Sequence, residues 1–293
     1  MAPKKERQNE NLRLALPKGS MEAGVSALLA DAGIRVRQSS RGYRPEISLE
    51  GFEAKILRPP NIVEMLHAGS RDLGFAGPDW VAELNARVVE VLDCRLDPVR
   101  VVAAAPRDLV ACGDLFSRPI VVASEYRRLA TEWIKQKGVE ATFVQSYGAT
   151  EVFPPEDADL IVDNTATGNT LRANGLTIVD ELMKSSTRLY ANPGVLEDSR
   201  RKEAVDRFVL LLSSVLEARR RVMVEVNVDA AHLEAVIAVL PCMREPTISR
   251  LSGDSGYAVK AAVPREELPA VIPEIKTRGG GDIVVSNLAQ IVP

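Results

Sequence analysis

Apolar residues fall along this chain in short β-branched runs separated by longer amphipathic stretches, a rhythm that predicts strands alternating with helices. Residues 12–16 read as a strand, followed by a helix over 21–32 with Ser20 placed to cap it. The pattern continues with a strand over 52–57, a helix over 62–68, a short buried strand over 73–76, and a helix over 78–84 that opens on proline. Residues 88–92 and 99–105 are apolar strands with no helix between them, as expected where a chain crosses from one lobe to another. The alternation resumes with a strand over 119–123, a helix over 126–137, and strands over 141–144 and 160–162. Residues 190–195 predict the return strand. Alternating strands and helices are the grammar of parallel sheets, so the fold class is α/β with two lobes and a cleft between them. The expected division is 12–96 with 190–221 for lobe I and 97–189 for lobe II.

An amphipathic helix over 197–221 follows, with Phe208, Leu211, Leu212, Val215 and Leu216 at helical spacing. It ends in Arg219, Arg220 and Arg221, which suit a solvated helix C-terminus. The remaining segments, 222–228, 231–240, 247–251, 257–263, 266–277 and 282–285, read in order as βαββαβ. That order predicts a ferredoxin-like domain over 222–293.

Composition adds exclusions. The 293 residues are 46% hydrophobic and 26% charged with a net charge of −3, so nucleic acid and acidic membrane are not expected partners. Aromatics are only 4%, which leaves little surface for stacking bases. Cys94, Cys112 and Cys242 are scattered without metal spacing, and neither His67 nor His232 joins a ligand cluster. No metal site is therefore expected from protein side chains. Residues 1–11 are polar, without the apolar core of a secretory signal, and read as a disordered tail. With no apolar run long enough to cross a bilayer, the expected location is the cytoplasm.

The segment from Ala158 to Leu171 carries the most chemistry. Leu160, Ile161 and Val162 form a buried strand, and Asp163 stands at its end. Thr165, Thr167, Gly168 and Thr170 then lead towards a helix, gathering hydroxyls and free backbone N–H groups suited to an anion. Asp163 beside them is placed to accept hydrogen bonds from ribose hydroxyls. The pattern is neither a Walker loop nor a dinucleotide fingerprint.

The stretch from Asp159 to Leu176, with Thr167-Gly168-Asn169-Thr170-Leu171 and Ala173-Asn174-Gly175-Leu176, resembles the phosphoribosyl pyrophosphate (PRPP) loop of the ATP phosphoribosyltransferase family. Further matches follow in order: Leu14-Ala15-Leu16-Pro17-Lys18-Gly19, Leu57-Arg58-Pro59-Pro60-Asn61-Ile62, Asp72-Leu73-Gly74-Phe75-Ala76-Gly77-Pro78-Asp79 and Glu245-Pro246-Thr247-Ile248-Ser249. The resemblance implies a bilobal, periplasmic-binding-protein-like catalytic part and the long form of the family, whose C-terminal domain binds histidine as feedback inhibitor. It implies transfer of the phosphoribosyl group of PRPP to N1 of the adenine of ATP, with release of pyrophosphate. Mg²⁺ is expected on the pyrophosphate rather than in a protein cage.

By resemblance, Thr167, Gly168, Asn169 and Thr170 hold the 5′-phosphate, with Ala166 adding backbone. Asp163 and Glu151 face the ribose. Lys18 and Arg58 neutralise phosphates, and with Gly77 and Asp79 they make up the ATP side. Asp163, Lys18 and Arg58 are the expected catalytic set. Asn227, Met243, Thr247 and Asp282 are the expected histidine contacts, and dimers assembling into hexamers the expected oligomer. Several positions depart from the family pattern. Ser20 stands where an arginine is common, which assigns phosphate neutralisation there to another cation such as Arg41 or Arg44. Asn61 replaces an acidic residue. Asn227 replaces an aspartate able to pair with the amino group of histidine, and Asp282 replaces a small residue.

Other classes make distinguishable demands. A bilobal small-solute-binding protein calls for a secretory signal, and a transcriptional regulator for a helix-turn-helix module. A catalytically weak regulatory paralogue is the alternative that Ser20 keeps open.

Overall fold

The computed structural model describes residues 11–37 and 42–292. Residues 1–10 of the expected tail, and Arg41, lie outside them. Two compact units emerge, one of Met1–Ala30 with Ile34–Asp206 and the other of Asp31–Gly33 with Arg207–Pro293.

The elements run β1 (Leu12–Pro17), α1 (Glu22–Asp31), β2 (Val36–Arg37), β3 (Glu46–Ile47), β4 (Phe52–Leu57), α2 (Pro59–His67), β5 (Leu73–Ala76) and α3 (Pro78–Glu83). Then come β6 (Val89–Pro106), α4 (Arg107–Ala111), β7 (Ile120–Ser124), α5 (Arg127–Lys137), β8 (Ala141–Gln145), β9 (Leu160–Thr165) and α6 (Asn169–Ala173). The series reaches β10 (Leu176–Ala191), α7 (Pro193–Glu197) and α8 (Ser199–Arg220). Entry to α1 uses a backbone bond from Glu22 N–H to the Gly19 carbonyl at 3.0 Å.

One sheet in the order β4-β1-β5-β10-β6-β9-β7-β8 organises the larger unit. β1 is parallel to β4 and β5, and β7 is parallel to β8 and β9. Between these two parallel triads lies an antiparallel ribbon of β10 and β6. Two expectations need correction here. The segments 88–92 and 99–105 are one continuous strand, because the polar residues between them find partners: Asp93 accepts the Arg95 N–H at 2.9 Å and Asp97 accepts the Thr187 hydroxyl at 2.8 Å. The return strand is β10, which ends at Ala191. Asn192 then caps α7, accepting the Gly194 N–H at 2.9 Å, so residues 192–195 are not extended.

β6 shows why an unbroken apolar run belongs here. Val101, Ala103 and Ala105 pack with Ile120, Val122, Tyr126, Trp133 and Leu160. Val102 and Ala104 turn the other way, to Ala123, Ile161, Leu171 and Leu176. A strand buried on both faces has no polar side to alternate with.

The smaller unit contains β11 (Arg221–Val228), α9 (Leu233–Ile237), β12 (Thr247–Arg250), β13 (Tyr257–Pro264), α10 (Leu268–Thr277) and β14 (Gly280–Asn287). Its sheet order, β12-β13-β11-β14, is antiparallel throughout and is that of a ferredoxin-like fold. Val222, Val224, Val226 and Val228 all face one side, joining Val259, Ala261, Val263, Val236, Val271 and Ile275 in a single core.

Candidate active site

Strand register fixes where the two triads present their carboxyl ends. β5 runs from Leu73 to Ala76 opposite Ala191 to Arg188 of β10. From the other side, β9 ends at Thr165 opposite Arg100, which pairs with Lys184 of β10. Both sets of strand ends therefore point at segment 184–188. That segment contains two register shifts, and Arg95 and Asp97 on the neighbouring strand have φ of 53° and 47°. Carboxyl ends of parallel strands are where α/β sheets bind ligands, because loops and helix starts gather there.

At the β7–β8–β9 ends, pairing stops at Val162 on the β7 side but continues through Thr165 on the β6 side. Asp163 is therefore still in the strand, and corrects the expectation that the strand ends before it. The half-pairing leaves the Asp163 backbone unpaired on the β7 side, one step past the Ser124–Val162 pair and so level with Glu125. Asp163 Oδ1 accepts the Asn164 N–H at 2.7 Å. Burial pushes the Asp163 carboxyl up to about 7; the Asn164 N–H opposes this, and the charges of Glu151 and Glu125 add to it. Gln145 ties the neighbouring turns together, its side-chain amide reaching the carbonyls of Ser124, Glu125 and Ser146 at 3.1–3.2 Å. A Ser146–Thr150 hydroxyl contact of 2.7 Å closes the turn before Glu151.

The loop after β9 is exposed at Ala166, Thr167, Asn169 and Thr170. Gly168, with φ of 75°, begins α6 and donates its N–H to Thr165 Oγ1 at 3.0 Å. The left-handed backbone requires glycine at this point. Arg172, not singled out from the sequence, bonds Asn169 Oδ1 and brings its guanidinium to within 3.2 Å of where a Cβ on Gly168 would stand.

At the β1–β4–β5 ends, Pro17 pairs with Leu57, and Lys18 N–H bonds the Leu57 carbonyl at 2.8 Å. Lys18 and Arg58 thus leave adjacent strands side by side, both exposed. Arg58 is the N-cap of α2, with Pro59 in the first turn. Gly77 is buried, and the room above it is taken from within: an added Cβ would stand 2.0 Å from Asp79 Oδ1 and 2.5 Å from Ser185 Oγ. Asp79 is 3% exposed, and both its oxygens are engaged, by the Tyr126 hydroxyl at 2.7 Å and the Ser185 hydroxyl at 2.6 Å. The same Tyr126 oxygen accepts the Asn164 amide at 2.9 Å. Asp79 therefore links both triads to the ribbon, and its carboxylate faces inward.

In the smaller unit, the Asn227 amide donates to Asp282 Oδ2 at 3.1 Å. Asp282 has φ of 48°, at a register shift between β11 and β14. Thr247 stands on the edge strand β12, level with Lys260 and Glu225, two strands from Asp282's neighbour β11. Of the expected effector set, the fold brings Asn227 and Asp282 into contact and leaves Thr247 apart, two strand spacings (roughly 10 Å) from β11 and three (roughly 14 Å) from β14. Met243 is exposed in the loop before β12.

Glu125, Tyr126, Asn164, Arg172 and Ser185 join the site without having been singled out. Glu125 had a readable signal, since it follows the apolar run of β7 as Asp163 follows that of β9. Ser185 had none, because β10 shows too little apolar patterning.

A family model described as ATP phosphoribosyltransferase matches residues 58–214, more than half of the chain, and one described as HisG, C-terminal domain, matches 218–290. The chain belongs to the ATP phosphoribosyltransferase family. An ATP phosphoribosyltransferase of Chlorobium phaeobacteroides is 35% identical over 288 residues, 96% of this chain and 97% of the relative. One from Pelotomaculum thermopropionicum is 35% identical over 289 residues, 96% of this chain and 99% of its own length. Among solved structures, the ATP phosphoribosyl transferase (HisG:HisZ) complex from Thermotoga maritima superposes with a TM-score of 0.62 at 27% identity, covering 70% of this chain and 98% of its own. Arg58, Gly77, Asp79, Glu151, Asp163 and the loop to Thr170 fall within the first family match, and Asn227, Met243, Thr247 and Asp282 within the second.

Proposed function

We propose that the two facing sets of strand ends divide the substrates of an ATP phosphoribosyltransferase, the first enzyme of histidine biosynthesis, between them. The observation that carries this reading is their opposite chemistry across segment 184–188: exposed cations at Lys18 and Arg58 on one side, carboxylates at Glu125, Glu151 and Asp163 on the other. The two triads then act as two lobes with a cleft between them, 12–96 with 190–221 against 97–189, and 222–293 as the regulatory domain.

PRPP lies at the β7–β8–β9 ends. Ala166, Thr167, Gly168, Asn169 and Thr170 hold its 5′-phosphate with hydroxyls and N–H groups, and Arg172 supplies charge close by. Asp163 and Glu151 accept hydrogen bonds from the ribose. ATP lies at the opposite ends, its phosphates neutralised by Lys18 and Arg58. Gly77 and Asp79 serve this side from within by fixing the turn after β5.

The adenine N1 lone pair forms the new bond to the anomeric carbon as the bond from that carbon to pyrophosphate breaks. N1 needs no strong base, so the protein's work is alignment and stabilisation of charge developing on the leaving group. Among the described residues no group of three His, Cys, Asp or Glu is arranged to hold a metal. Mg²⁺ would arrive with the pyrophosphate and offset its negative charge, as hard cations do with phosphates.

Histidine binds the ferredoxin-like unit, its ammonium accepted by Asp282 as oriented by Asn227; Thr247, on the far edge strand, is too distant to hold the carboxylate of the same molecule, which falls instead to nearby backbone N–H groups. It inhibits by favouring one state of a homo-oligomer, a dimer assembling to a hexamer, since equal affinity for both states shifts nothing. The enzyme works in the cytoplasm; no described helix is long and apolar enough to cross a membrane. Purified protein should release pyrophosphate only when ATP, PRPP and Mg²⁺ are all present. Absence of release with all three overturns the catalytic reading.

A further inference from the structure

We propose that Tyr43 is a positioning residue that holds Lys18 in reach of the ATP phosphates, a proposal that rests on the assignment of Lys18 to ATP. The Lys18 ammonium lies 5.2 Å from the centroid of the Tyr43 ring. A cation at this distance is drawn to the negative face of the ring.

Tyr43 is fixed where this contact requires it. Its carbonyl accepts the Ile56 N–H at 2.8 Å, and the next carbonyl along β4, that of Leu57, accepts the Lys18 N–H at 2.8 Å. The backbones of Tyr43 and Lys18 are thus pinned to consecutive residues of one strand, and Arg58 follows directly. Tyr43 is 61% exposed as a residue, so its place is not explained by core packing.

Lysine has a flexible four-carbon stem and loses much rotamer freedom when held. A carboxylate partner would hold it but cancel its charge and compete with phosphate. An aromatic face orients the ammonium and leaves the full charge for the ligand. This suits a side chain that has to meet a polyanion and later release a product that still carries those phosphates.

The test replaces Tyr43 with phenylalanine and with mono-, di- and trifluorophenylalanine, which keep the shape of the ring while draining its negative face. ATP binding should weaken stepwise, by roughly two- to five-fold across the series. PRPP affinity should stay level, and the loss should appear in KM for ATP rather than in kcat. In a Lys18→Met background the steps should vanish, since the cation is gone. ATP affinity that ignores fluorination, while Lys18→Met alone weakens it, overturns the role of Tyr43 and leaves the Lys18 assignment standing. Unchanged ATP affinity in Lys18→Met overturns both.

Discussion

Tyr126 donates its hydroxyl to Asp79 across 2.7 Å, joining the N-cap of α5 to the first turn of α3. Because the same oxygen accepts the Asn164 amide, one phenol connects the proposed ATP side of the site to the residue beside Asp163. Burial, followed by the Asp79 charge and hydrogen bond, pushes the Tyr126 hydroxyl far above its ordinary range, so it remains a donor at any working pH. Trp80 stacks against it at 4.7 Å between centroids.

Tyr126→Phe should leave Asp79 Oδ2 buried without its donor. A loss of about 1–3 kcal/mol is expected, the cost of an unsatisfied buried acceptor. Urea unfolding would measure it. Removal of both partners in Tyr126→Phe/Asp79→Asn should cost less than the sum of the two single changes, because they share one bond.

Gly77→Ala should destabilise the protein even in the absence of substrate. The new methyl would meet the Asp79 carboxylate and the Ser185 hydroxyl, both buried and unable to move aside freely. Overpacking of this kind costs about 1–3 kcal/mol. Pairing the change with Ser185→Gly should recover part of the lost melting temperature.

Asp163 sets a pH dependence. Its ordinary value is 3.8 and in the fold it rises to about 7. Between these values the unfolded chain ionises and the folded one does not, so the stabilising contribution present below 3.8 is lost as pH rises through 7. Binding has the opposite sign, because a ribose hydroxyl donates best to the ionised form. PRPP affinity should therefore increase as pH rises through about 7, with an Asp163→Asn variant flat by comparison. Glu151→Gln should move the midpoint down by removing a like charge. Titration of the Asp163 carboxyl carbon by NMR reads the shift directly.

Thr167→Ala and Thr170→Ala should each weaken PRPP binding by roughly 1.5–3 kcal/mol if their hydroxyls donate to a phosphate. Both side chains are exposed, so the melting temperature should hold. Calorimetric PRPP affinity equal to that of the parent would place the phosphate elsewhere.

Asp282→Asn should abolish histidine binding, and Asn227→Ala should weaken it, with ATP and PRPP kinetics intact in both. Inhibition curves alongside calorimetry would separate lost binding from lost coupling. Histidine binding unchanged in Asp282→Asn would move the ammonium site off β14.

Much of the fold was legible because burial and periodicity agree. β5 coincides with the run 73–76, and the alternation of β11 reads off as inward Val222, Val224, Val226 and Val228. β10 escaped because its middle, Asp180 to Ser186, mostly lies partly exposed and is held by side chains far away in sequence. No local pattern encodes such partners. At the site, motif residues could be named, but Asp79 could not be read as inward-facing, since that depends on Tyr126 and Ser185 arriving from other elements.

The two-faced burial of β6 has a consequence for how mutations combine. Val101 and Val102 are adjacent in the chain, yet each belongs to a different cluster of side chains. Their truncations should sum almost independently, whereas Val101 and Val122, distant in sequence but packed in one cluster, should interact. Correlated substitution among relatives ought then to skip the next residue along the strand and appear across the sheet.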